Sequence, residues 1–195
     1  CALAKACNLP EEFFAEKVGN SAFRLAHYPP NTNLFPTEDI IDIPTSADIC
    51  AAMHKDIGTS TGLLISEPGL RLLRDGGEIL KIDPEPGETA MVINTADLLE
   101  AMSNGFFPSG PHEVVCLTTD EKVERGYLTK AAGQIQKDCG RFAMPFFCHF
   151  KEEVSVKPLE QFITHDRPWD QEKYPDRTAG EALQERLDEI KVSAI

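Results

Sequence analysis

Long apolar runs are missing from this 195-residue chain. No window approaches the ~18 consecutive apolar residues that a membrane helix needs, so the sequence argues against a membrane partner. Positive charge is scarce as well, with 19 Lys and Arg against 32 Asp and Glu and a formal net charge of −13. An acidic surface repels phosphate backbones, which argues against nucleic acid as a partner. A small molecule in a local basic pocket remains compatible with that charge. The six cysteines, at positions 1, 7, 50, 116, 139 and 148, include no CxxC pair and no Cys/His cluster with zinc-finger spacing. They are expected as reduced thiols in a cytosol-like compartment. No basic stretch running into an apolar one opens the chain, so the sequence gives no argument for secretion, and a cytoplasmic location is the expectation.

What is present is enough apolar material for one core, including eleven Phe, and a length that suits a single domain over 1–195. Residues 1–18 read as helical, with a second short helix starting at Pro10-Glu11-Glu12, where proline and acids suit a first turn. Ser21 to Tyr28 reads as a strand stopped by Pro29-Pro30, and residues 31–50 read as loop. From 51 to 150 short apolar runs follow one another: Leu63 to Ile65, Leu70 to Leu73, Ile79 to Ile82, Met91 to Ile93, His112 to Leu117 and Phe142 to Phe150. Turn signals such as Asp75-Gly76-Gly77 and Pro84-Glu85-Pro86-Gly87 separate them, which predicts a mainly β sandwich or barrel. Ala96 to Met102 is expected to be a short helix. Residues 119–139 are polar and predict a surface insertion with a helix at Thr129 to Lys137. A C-terminal helix is expected within 179–195, with Leu183, Leu187 and Ile190 at i, i+4 and i+7.

The residues that point to chemistry are His54-Lys55-Asp56-Ile57-Gly58. On an extended backbone i and i+2 share a face, so His54 and Asp56 can reach one point. His112, on another apolar strand, could supply a third ligand. Two His and one carboxylate on one face of an octahedron leave three open positions, an arrangement suited to non-heme Fe(II). An HxD pair by itself is a common chance match, and a strand-end His beside an Asp-Gly turn is the structural alternative.

The surrounding order of motifs resembles the isopenicillin N synthase-like family of 2-oxoglutarate and Fe(II)-dependent dioxygenases, over about residues 20–150. Arg24 to Pro30 looks like that family's strand into a Tyr-Pro-Pro turn, and His54 to Gly58 followed by Thr61 and Leu63-Leu64 looks like its HxDxG segment. Glu67 to Leu70, Pro84 to Gly87, Val92-Ile93-Asn94, Asp97-Leu98-Leu99 and Ser103-Asn104-Gly105 follow in the family's order. His112 stands after Ser-Gly-Pro where a second iron His is expected, and Arg141-Phe142-Ala143 stands where the family has Arg-x-Ser. The resemblance implies a double-stranded β-helix, or jelly roll, with flanking helices. It implies that His54, Asp56 and His112 hold Fe(II), that Arg141 binds the far carboxylate of the cosubstrate 2-oxoglutarate while Tyr28 gives that cosubstrate a further hydroxyl hydrogen bond, and that O₂ takes a remaining position while a small-molecule substrate is oxidised, releasing succinate and CO₂. A planar guanidinium offers a carboxylate two parallel donors, which Lys cannot.

The pattern departs from the family in three places. Ala143 replaces Ser, which removes one hydroxyl. The step from His112 to Arg141 is long, and Arg125 within it is a rival anchor. Only about 20 residues precede the Tyr-Pro-Pro strand, so the chain is expected to be the C-terminal part of a longer oxygenase, with an apolar face left open. Two other functions compete: a catalytically weak binding relative of the same fold, and a cupin-like metalloenzyme of different chemistry. The latter has no need of Arg141. His27, His149 and His165 are expected to be structural or surface residues, Cys116 and Cys148 buried thiols, and Trp169 a packing residue of the tail.

Overall fold

The structure is a computed structural model that describes residues 2–30, 48–131, 134–135 and 137–193. Two antiparallel sheets form the predicted jelly roll. In the first, β1 (Ala22–Phe23) and β2 (Ala26–Tyr28) both run along β11 (Arg141–Cys148), which pairs on its other side with β4 (Ser60–Ile65) and then β7 (Ala90–Thr95). In the second the order is β3 (Asp48–His54), β8 (His112–Cys116), β5 (Leu70–Leu73) and β6 (Ile79–Ile82). The apolar runs of the sequence become these strands. β11 shows why: Arg141 and Ala143 are buried while Phe142, Met144 and Phe146 are exposed, the period-2 alternation of a strand with one inward face. The outer face of the first sheet is apolar and open. Phe146 pairs with Phe23, and Met144 lies in one row with Leu64 and Met91.

The apolar core lies beside the sheets rather than between them. α1 (Ala2–Ala6), α2 (Asp97–Met102) and α4 (Ala179–Ser193) pack Ala4, Leu99, Met102 and Ala182 against Phe14 and Phe150. Leu99 and Met102 are 2% and 1% exposed, so truncating either to Ala would cost ~2–5 kcal/mol. This arrangement keeps the space between the sheets free for a ligand.

Several local expectations are corrected. The helix read over 1–18 is only α1, because Asn8 turns to φ 54 and ends it. The second helix expected at Pro10 is a turn followed by a 3₁₀ segment at Ala15–Lys17. Of the loop expected at 31–50, residues 31–47 lie outside the described residues and 48–50 already belong to β3. No helix forms at Thr129–Lys137 among the described residues. Instead α3 (Thr119–Glu124) comes first and β9 (Lys130–Ala131) pairs with β10 (Gln134–Ile135) in a two-stranded antiparallel sheet. In α4, Leu183 is half-buried, Leu187 is 41% exposed, and the Ile190 side chain lies outside what is described.

The cysteines are also corrected. Cys50 and Cys116 form a disulfide between β3 and β8, with Cα atoms 5.9 Å apart, so they are not the free thiols expected. Neither sits in a recognisable pairing motif; they meet because their strands are neighbours. Cys7, Cys139 and Cys148 are free.

Candidate metal and cosubstrate site

The pairing of β3 with β8 sets His54 directly opposite His112, with ring centroids 4.4 Å apart. Asp56 follows two residues after His54, beyond the end of β3, in the segment that crosses to the other sheet. α2 fixes that segment: Asp97 N–H donates to Asp56 O at 3.1 Å and Leu98 N–H to Gly58 O at 2.7 Å. Gly58 has φ +139, and a Cβ there would lie 2.6 Å from Cys148 O, so only glycine lets the chain pass β11 so closely.

The three side chains are oriented toward one point. His54 Nδ1 lies 2.8 Å from Ala52 O and His112 Nδ1 lies 3.0 Å from Gly110 O. A carbonyl can only accept, so Nδ1 carries the proton in both rings and each Nε2 presents its lone pair. Both Nε2 atoms are 3.7 Å from Asp56 Oδ1. Asp56 is 6% exposed, and its other oxygen accepts from Asn94 Nδ2 at 2.8 Å. Ligand atoms at right angles around a first-row ion stand ~3 Å apart, so each imidazole is within about an ångström of a ligand's spacing from Asp56, and all three donors lie within 4.8 Å of one another. The donor set therefore fits Fe(II).

The opposite sheet supplies an anion site. Arg141 is 2% exposed; its Nε donates to Pro68 O at 3.0 Å, while buried Nη1 and Nη2 have no partner in the described protein. Two parallel unsatisfied donors on a buried guanidinium are costly unless an acceptor arrives. Burial pushes the Arg141 pKa down, opposed by the nearby charges of Tyr28, Glu67 and Asp83. Tyr28 is its cross-strand partner, and the guanidinium lies 5.5 Å from the Tyr28 ring centre. Gly140, just before Arg141, has φ +85 and leaves no space for a Cβ, which would lie 2.2 Å from Tyr28 O. A cavity of about 580 Å³ runs between the sheets and is lined by all five predicted site residues, His54, Asp56, His112, Tyr28 and Arg141, together with Ala143. That volume is within the ~300–1,000 Å³ of small-molecule sites. Arg125 is absent from the lining and is paired with Asp83 instead.

Two features escaped the sequence reading. Asn94 was seen only as part of a motif, yet its cross-strand pairing with Thr61 turns it toward the cavity and Asp56. Glu100, 7% exposed in α2, accepts from Lys55 Nζ (3.0 Å), Ser109 N–H (2.8 Å) and Tyr174 OH (2.9 Å). It thereby ties the segment of His54 and Asp56 to the loop before His112. Burial works against its charge, but the hydrogen bonds from Ser109, Lys55 and Tyr174 outweigh burial and hold its pKa below the usual carboxylate value. No heptad, motif or charge run marks it in sequence. His27 bonds Cys139 O, and Trp169 donates to Tyr174 O at 2.7 Å, a tail-packing role as expected.

The chain resembles known proteins throughout. It is 27% identical to the 2-oxoglutarate-dependent dioxygenase phqC of Penicillium fellutanum, over 95% of this chain and 48% of that protein. Thebaine 6-O-demethylase of Papaver somniferum is 36% identical over 54% of this chain and 26% of its own length. Among solved structures, a 2OG-Fe(II) oxygenase family protein from Caulobacter crescentus superposes with a TM-score of 0.70 at 36% identity, over 97% of this chain and 52% of that one. The chain thus spans about half the length of the first of these relatives and of that structure. The dioxygenase for auxin oxidation of rice shares the fold at 21% identity and a TM-score of 0.68, over 95% of this chain and 52% of that one. The model of the 2OG-Fe(II) oxygenase superfamily matches residues 19–150, a span that holds Tyr28, both histidines, Asp56 and Arg141, and the chain belongs to that superfamily.

Proposed function

We propose that this chain is the catalytic region of a 2-oxoglutarate and Fe(II)-dependent oxygenase that oxidises a small molecule. His54 Nε2, Asp56 Oδ1 and His112 Nε2 would hold the iron, and Arg141 would hold the far carboxylate of 2-oxoglutarate. The observation that carries the reading is the pairing, across one cavity, of a metal-type donor set with a buried arginine whose two terminal nitrogens have no partner among the described residues. Bound together, iron, 2-oxoglutarate and O₂ would supply the oxidising power for the substrate, with 2-oxoglutarate leaving as succinate and CO₂.

The protein's own part is placement. The carbonyls of Ala52 and Gly110 fix which imidazole nitrogen faces the metal. Asn94 occupies one Asp56 oxygen and so favours a single-oxygen ligand, which leaves more room for the other occupants. Pro68 O holds Arg141 Nε and so fixes the guanidinium in the wall of the cavity, with Nη1 and Nη2 left for a carboxylate. Leu63, Val92 and Pro145 give the cavity apolar walls. Ala143 offers no hydroxyl, so the guanidinium and the Tyr28 hydroxyl carry the cosubstrate contact.

Succinate release from 2-oxoglutarate with Fe(II), ascorbate and O₂ tests the reading. The parent is expected to release it and His112→Ala to fail. Binding of both iron and 2-oxoglutarate without succinate over a substrate panel would favour the catalytically weak binding relative. Metal-dependent turnover indifferent to 2-oxoglutarate would favour the cupin-like chemistry.

A further inference from the structure

The polar stretch 119–139 reads as a surface insertion, yet it holds a lysine that is 4% exposed. The sequence builds that position locally. Thr118 Oγ1 accepts from Glu121 N–H at 3.2 Å while Glu121 Oε2 accepts from Thr118 N–H at 2.8 Å, a capping box that starts α3. Lys122, on that short helix, turns inward. Its ammonium donates to Asp138 Oδ1 at 2.9 Å and to Gly140 O at 3.1 Å, and pairs with Glu67 Oε2 at 2.9 Å. Asp138 Oδ1 also accepts Gly140 N–H at 2.8 Å, and Thr119 Oγ1 donates to Asp138 Oδ2 at 3.0 Å.

These partners flank one residue. Gly140 immediately precedes Arg141, and Glu67 immediately precedes Pro68, whose carbonyl accepts from Arg141 Nε. A second tie from the same insertion reaches the same wall: Arg125 pairs with Asp83, and Asp83 Oδ1 accepts from Gly69 N–H at 3.0 Å. We infer that Lys122 is a positioning residue for Arg141: its buried ammonium clamps the Gly140 carbonyl to Glu67 and so sets where the guanidinium stands for an incoming 2-oxoglutarate carboxylate. The inference rests on the reading of Arg141 as the carboxylate anchor. It gives the insertion a task that neither a surface loop nor a general stabilising element would have. A buried cation is retained where opposite charge and acceptors converge on it, and here the Glu67 ion pair and the two acceptors, Asp138 Oδ1 and Gly140 O, all belong to the two segments that hold Arg141.

The test compares the Kd of the Fe(II)-loaded protein for 2-oxoglutarate, measured anaerobically, with its Kd for Fe(II) and with succinate release at saturating 2-oxoglutarate. In Lys122→Met the Kd for 2-oxoglutarate is expected to rise at least tenfold, with iron affinity and saturated turnover within about twofold of the parent. Glu67→Gln separates positioning from simple charge and keeps the test open should Lys122→Met fail to fold, since Lys122 keeps Asp138 there. Removing a negative charge near Arg141 would tighten 2-oxoglutarate binding if only the electric field mattered, whereas a slackened clamp weakens it. Weaker binding in Glu67→Gln supports the inference. Tighter or unchanged binding overturns it, as does a folded Lys122→Met that binds like the parent. Arg141→Ala is the control: if it binds 2-oxoglutarate normally, the anchor reading itself has failed, independently of Lys122.

Discussion

Replacing Arg141 by Ala removes a buried cation that lines the cavity and whose Nη1 and Nη2 have no partner among the described residues. A hydrogen bond to a charged group contributes ~1.5–3 kcal/mol, so the two from Nη1 and Nη2 together represent roughly 3–6 kcal/mol. At about 1.4 kcal/mol per factor of ten, the Kd for 2-oxoglutarate should rise roughly 10²–10⁴-fold. Arg141→Lys should recover only part, because an ammonium cannot present two parallel donors and cannot keep the Pro68 contact in the same geometry. Arg125→Ala should weaken binding far less than Arg141→Ala, since Arg125 does not line the cavity and reaches its wall only through Asp83. Ala143→Ser, which returns a hydroxyl to the cavity wall, should tighten binding by up to about tenfold, the worth of one neutral hydrogen bond. The assay is anaerobic calorimetric titration of 2-oxoglutarate into Fe(II)-loaded protein, with iron content checked for each variant. Parental affinity in Arg141→Ala together with lost affinity in Arg125→Ala would refute the reasoning.

Further expectations concern the rest of the site and the fold. Asn94→Ala frees the second Asp56 oxygen and should weaken Fe(II) binding about 10–100-fold in a competition assay with a chelator, the usual cost of losing a residue behind a ligand. Reduction of the Cys50–Cys116 disulfide, which spans 66 residues, should lower stability by ~2–4 kcal/mol in urea unfolding, and Cys50→Ser should make the protein insensitive to reductant. Glu100 has a depressed pKa when folded, so the unfolded chain takes up its proton first as pH falls. Its stabilisation should be present above the unfolded value of ~4.3 and disappear as pH drops through the folded value, and urea midpoints at pH 7 and pH 4 should differ less in Glu100→Gln than in the parent.

The strands that carry the site were legible because they alternate or run apolar between glycine and proline turns. β11 is the clearest case, with Arg141 and Ala143 inward and Phe142 and Met144 outward. The i, i+2 spacing of His54 and Asp56 was legible for the same reason, although β3 stops at His54 and α2, not strand geometry, fixes Asp56. Resemblance rather than periodicity brought in Arg141, while His112 was a candidate from its apolar strand that the resemblance singled out. What local pattern could not show were pairings between distant strands. Cys50 meets Cys116 only through the β3–β8 register, and Asn94 meets Asp56 only through β7–β4. Lys122 misled in the opposite direction: a lysine in a polar stretch reads as solvated, and only the convergence of Glu67, Asp138 and Gly140 O offsets the cost of its burial. Where a helix is expected at Thr129–Lys137, the pairing of Lys130–Ala131 with Gln134–Ile135 takes its place.

The central claim is that one cavity holds the metal on one wall and the far carboxylate of 2-oxoglutarate on the other. A crystal structure of the protein grown with 2-oxoglutarate and Mn(II), a redox-quiet substitute for Fe(II), tests it most directly. The account predicts one ion bound by His54 Nε2, Asp56 Oδ1 and His112 Nε2 at ~2.0–2.2 Å, with a carboxylate seated on Arg141 Nη1 and Nη2. An ion bound elsewhere, or 2-oxoglutarate seated against Arg125 with the Arg141 nitrogens still open, would contradict it.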